Sequence, residues 1–148
     1  MSDPIEPISA AIRASILADP AIVDLLGVWK GEASIHTRRP VPKDAPYPLV
    51  LAPSTNAGAT NEDGLVSRRP LLVRDVFVYG VQPTDLRTVD AAAELISARF
   101  HRKRFALTIP GYHVVDIIAD RPRPAPVDND SQVGRLVQLQ LRLKDLSG

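Results

Sequence analysis

TDLRTVDAAAELISARFHRKR, residues 84–104, carries a helical period that predicts a long amphipathic helix without help from its neighbours. At roughly 100° per residue, Leu86, Val89, Ala93, Ile96 and Phe100 fall on one narrow stripe, with Asp90, Glu94, Ser97 and His101 beside it on a wet face. Such a helix must lie on something apolar. A near-continuous apolar run at residues 72–81 precedes it, and two further strand patterns follow at 112–121 and 136–144. In the last of these Val137, Leu139, Leu141 and Leu143 alternate with Gln138, Gln140, Arg142 and Lys144, so one sheet face is apolar and the other is wet or meets a polar partner. The expected fold is α+β: a mixed or antiparallel sheet with this central amphipathic helix packed on one face.

Two short helices are expected before the sheet. Asp3-Pro4-Ile5-Glu6 has the form of a helix start, and Ile5, Ile8, Ile12 and Ile16 recur at helical spacing to about residue 18. Asp19-Pro20 repeats the start signal, Ile22, Leu25 and Leu26 supply an apolar side, and Gly27 is placed to end the second helix in the left-handed conformation. Residues 32–38 read as a weak strand, and the prolines at 40, 42, 46 and 48 keep the next stretch extended. A short strand, PLVLA, follows at 48–52. Residues 53–70 hold little apolar content beyond Leu65 and Val66, which predicts a long mobile loop. The last two strands form a hairpin whose connection, at about 122–132, is long and rich in proline. Residues 1–148 therefore read as a single domain with long loops at about 53–70 and 122–132.

The totals exclude several classes of chemistry. With 148 residues the chain can bury a sizeable core, and with no cysteine it has no disulfides, thiolate nucleophiles or Cys-ligated metals. Eighteen Lys and Arg against seventeen Asp and Glu leave a net charge of +1, so any electrostatic partner must meet a local patch. No basic and apolar leader opens the sequence, and no apolar run is long enough to span a membrane, so the expectation is a protein made in the cytoplasm, or used in a particle assembled there, with no membrane contact. His36, His101 and His113 have no metal-binding spacing. Asp128-Asn129-Asp130 lacks the Gly and closing Glu of a calcium loop. No phosphate loop, nucleophile elbow or paired-carboxylate signature is present, so no catalytic, cofactor-binding or metal residue is assigned and no cofactor is expected.

Two surface features remain. Arg99, Arg102, Lys103 and Arg104, interleaved with Phe100 and Phe105, are a low-specificity cue for phosphate contact, although cations at a helix C-terminus also complement the macrodipole. With Gln138, Gln140 and Arg142, the residues Arg99, Lys103 and Arg104 are the candidates for contact with DNA or a partner. Leu95 projects about 140° from the middle of the core stripe, and Ala91, Ala98 and the stem of Arg102 lie near it, a second stripe that reads either as a subunit contact or as a face covered by the N-terminal helices.

The stretch LADPAIVDLLG at 17–27 resembles the opening of the tail terminator, or tail completion, proteins of long-tailed bacteriophages and phage-like particles. Pro46-Tyr47-Pro48-Leu49-Val50 is similar to that family's Pro-Tyr lead into a strand, and the later order of strand, Ala-rich helix and closing hairpin follows the same plan. The resemblance implies a structural virion protein at the head-proximal end of the tail, forming a homohexameric ring. The ring would cap the tail tube, stop its polymerisation and join the tail to the head-side connector, with DNA passing through the lumen without sequence specificity. The alternatives are a neck or head-completion protein of the same particle and, from another class, a small ligand-binding or hydrolytic α+β domain.

Overall fold

A computed structural model of the chain describes residues 6–38, 41–53, 71–127 and 130–145. The proposed helix start at Asp3-Pro4-Ile5, nearly all of the 53–70 loop, and Asp128-Asn129 at the hairpin tip lie outside the described residues. Two helices, α1 (Glu6–Leu17) and α2 (Pro20–Val23), open the fold, followed by β1 (Val28–Trp29), β2 (Glu32–Ala33), β3 (Ile35–His36), β4 (Leu49–Leu51) and β5 (Leu71–Val81). The long helix is α3 (Leu86–Phe100), and after a 3-10 turn at Arg104–Ala106 come β6 (Tyr112–Ala119), β7 (Arg123–Pro124) and β8 (Gln132–Asp145).

The α+β expectation holds. β1 and β2 make a separate hairpin through Lys30 and Gly31, both at positive φ. The main sheet runs β3-β4-β5-β8-β6, with β7 also on β8, and is mixed because β3 is parallel to β4 while the other pairs are antiparallel. The closing hairpin is present, with β8 between β5 and β6. Its Pro-rich connection is less irregular than composition suggests, because Arg123 and Pro124 pair with Leu136 and Arg135.

One core joins the helices to one face of this sheet. Ile8, Ile12 and Ile16 of α1, Ile22 of α2, and Val89, Ala92, Ala93, Ile96 and Phe100 of α3 meet Val76 and Val78 of β5, Ile117 of β6, and Val137, Leu139, Leu141 and Leu143 of β8. The period-two alternation of β8 is what aims its leucines at α3. The stripe on α3 is turned slightly from the expected one: Ala92 joins it, while Leu86 is 38% exposed. Leu86 opens the helix, where Asp85 and Val89 meet Gly80 of β5 while Leu86 itself stays exposed.

Three other expectations are corrected. The weak strand at 32–38 is broken at Ser34, whose backbone N–H turns to the Gly27 carbonyl at 2.8 Å, so one half pairs with β1 and the other with β4. Gly27 is not left-handed, and α2 has already ended at Val23; a Cβ at residue 27 would lie 2.8 Å from Pro46 Cβ, so close approach is what requires glycine. The central helix stops at Phe100 rather than running to 104, because Arg102 sits at φ 59 and its N–H bonds the Ile117 carbonyl at 2.7 Å.

Candidate functional site

A polar cluster lies beneath α1. Ser34 Oγ and His36 Nε2 share a hydrogen bond of 2.9 Å, the Trp29 ring meets the imidazole edge-on at 5.1 Å, and Arg13 donates to the Ile35 carbonyl and to Glu32 at 2.6 Å. Burial, and then the Arg13 guanidinium, lower the His36 pKa from its ordinary value of 6.5. A Ser-His pair invites comparison with a hydrolase, but Ser34 is 0% exposed, so no substrate reaches its hydroxyl. The cluster serves packing instead: Arg13 ties α1 to the backbone of edge strand β3. Among the described residues, no group of three or more His, Cys, Asp or Glu could hold a metal ion, and no helix is long and apolar enough to cross a membrane.

The basic cluster is divided by the structure into paired and unpaired cations. Arg99 faces the N-terminal helices, donating to Ser15 Oγ at 2.9 Å and to Asp19 at 3.4 Å, while Asp19 itself caps α2 by accepting from the Ala21 N–H at 3.0 Å. Arg99 is therefore a clamp between α1, α2 and α3. Arg102 pairs with Asp116 on β6. Lys103 and Arg104 form no ion pair among the described residues, and Phe105, under the Arg104 guanidinium at 4.8 Å, is 84% exposed. The residues after the helix also finish the sheet edge, since Arg102 N–H reaches Ile117 and His101 Nδ1 accepts from the Ala119 N–H at 3.2 Å.

Around this helix end lies a groove of 610 Å³, lined by Asp19 and Arg99 at one side, Leu95 and Ala98 on α3, Lys103 to Ala106, and the Arg102-Asp116 pair. A second hollow of 580 Å³ shares that pair and continues over β6 and β8, past Val115, Ile118, Gln140 and Arg142. Of the second stripe read from the sequence, Ala91 and Ala98 are exposed, Leu95 is half-buried against the core, and Arg102 is exposed. The structure thus brings Leu95, Ala98, Arg102, Lys103 and Arg104 to one groove, with Gln140 and Arg142 beside it. Gln138 shares the outer sheet face of Gln140 and Arg142 but lines neither of these two hollows, and its amide donates to Asp75 at 3.3 Å. Phe105 is the residue that sequence reading underrated: its exposure follows from the left-handed Arg102, which no local pattern announces.

No protein-family model and no curated protein matches the chain in sequence. In fold it is similar to a chain in a solved structure of the virion of a native gene transfer agent particle, with a TM-score of 0.70 over 93% of this chain and 94% of that one, at 14% sequence identity. The likeness covers the architecture nearly end to end. At this identity it is a likeness of fold.

Proposed function

We propose that this chain is a structural subunit of a tailed, phage-like virion, and that its place there is the tail terminator. Six copies would form a ring on the last tail-tube subunits, stop tube growth and meet the head-side connector, with DNA passing through the lumen. The observation that carries the virion reading is the end-to-end fold likeness to a gene transfer agent virion chain. The narrower role draws on the terminator-like stretches around Asp19-Pro20 and Pro46-Tyr47, which are independent of the fold comparison. In this reading Ala91, Leu95, Ala98 and Arg102 contact a neighbouring subunit, while Lys103, Arg104, Gln138, Gln140 and Arg142 face the lumen or a partner. Arg99, held by Ser15 and Asp19, serves the fold of the subunit.

Electron microscopy of particles made without this protein tests the role. Headless, over-long tails are the expected result. Tails of normal length beside filled heads would overturn the terminator assignment and favour a neck or head-completion protein.

A further inference from the structure

Two features of the helix end call for a joint explanation. Arg102 occupies a left-handed conformation that is unfavourable for a residue with a Cβ, where glycine would sit without strain. After that turn Lys103, Arg104 and Phe105 are all exposed, the phenyl ring by 84%. The core gains nothing from this ring. The groove beside it has an apolar floor of Leu95, Ala98 and Ala106, and four cations against two carboxylates at its rim. Asp19 and Asp116 are already engaged by Arg99 and Arg102, and Lys103 and Arg104 form no ion pair among the described residues.

We infer that this groove docks an acidic peptide segment of another protein, one that places an apolar side chain against Phe105, Leu95 and Ala98 and carboxylates toward Lys103 and Arg104. The apolar floor favours a peptide over a nucleic-acid backbone, which would seek cations without an aliphatic seat. The excess of cations selects acidic sequences over neutral or basic ones. Arg102 does two jobs here: its backbone makes the turn, and its side chain, held on Asp116, walls the groove. The inference does not depend on the virion reading, and it competes with the subunit contact proposed there for Leu95 and Ala98, a choice that the sedimentation arm of the test decides.

The test is selection of a random dodecapeptide display library on the purified full chain, with counter-selection on a Lys103→Glu, Arg104→Glu, Phe105→Ser variant. All three side chains are exposed, so the variant should keep the melting temperature of the parent. The expected outcome is a consensus with two or more carboxylates around a large apolar residue. A synthetic peptide of that consensus should bind more weakly as salt rises and should lose about tenfold or more in affinity to Phe105→Ser or to the double charge reversal. Neutral or basic consensus peptides, or peptides that bind the variant equally well, would overturn the inference. So would a short DNA duplex binding at this site where the peptides do not, or sedimentation showing that a second copy occupies the groove.

Discussion

Among the described glycines, Gly80 leaves the least room for a side chain. It lies on β5 where the first turn of α3 crosses, and a Cβ there would fall 2.6 Å from both Asp85 Cβ and Val89 Cγ2. Neither can retreat easily, because Asp85 accepts the Val81 N–H at 2.8 Å and Val89 is fully buried. Gly80→Ala should therefore destabilise the protein by about 1–3 kcal/mol through overpacking, read as a lower urea midpoint at unchanged slope. His36 makes a prediction about pH. Its folded pKa is lowered by burial and by Arg13, while the unfolded chain titrates near 6.5, so as pH falls through 6.5 the unfolded state takes up a proton that the folded state resists. Stability is therefore full above 6.5 and declines below it, toward the lower folded pKa. Arg13, paired with Glu32, is the charged group facing the ring from α1, and Trp29 and Ser34 cover it from the strands. His36→Gln should flatten the loss of stability between about pH 7 and pH 5, measured by urea unfolding. An unchanged slope would assign that loss to the carboxylates.

At the scale of elements, the two N-terminal helices are fastened to α3 by packing and by one side chain. Ile12, Ile16 and Ile22 supply the buried apolar surface, and Arg99 supplies direction by bonding Ser15 on α1 and Asp19 at the start of α2. Arg99→Ala should lower stability by about 1 kcal/mol, the scale of one partly buried charged hydrogen bond after discounting solvent screening of the weaker Asp19 contact. Lys103→Ala, four residues on, should change nothing measurable in the same unfolding experiment. Hydrogen exchange should show the Arg99 effect first in α1 and α2, because the β5 and β8 ladder does not depend on this clamp.

For the whole molecule the question is which surface meets a neighbour. Leu95 is an imperfect probe, since it lines the groove on one side and packs against the core on the other. Leu95→Glu should lower both monomer stability and any assembly. Ala98 is exposed, so Ala98→Glu should leave the melting temperature unchanged while weakening ring formation and the yield of complete particles. Full yield from Ala98→Glu would remove the α3 stripe from the proposed subunit interface.

The sequence by itself determined the α+β class, the position of α3, the apolar face of β8 and the two N-terminal helices. These follow from periods of two and 3.6 and from caps such as Asp19, all of which are local. It also held the short stretches, around Asp19-Pro20 and Pro46-Tyr47, on which the proposed terminator role draws. Only the tertiary structure decided that Leu86 stays in water, that residues 32–38 break at Ser34 to join two sheets, and that Gly27 answers to Pro46. It alone separated the basic cluster, giving Arg99 to the helices and Arg102 to Asp116 while leaving Lys103, Arg104 and Phe105 on the rim of a groove. The physical reason is common to these cases. Each outcome depends on a group distant in the chain, such as Ile117 accepting from Arg102 or Ser15 accepting from Arg99, and a sequence pattern has no term for a partner that folding alone brings near.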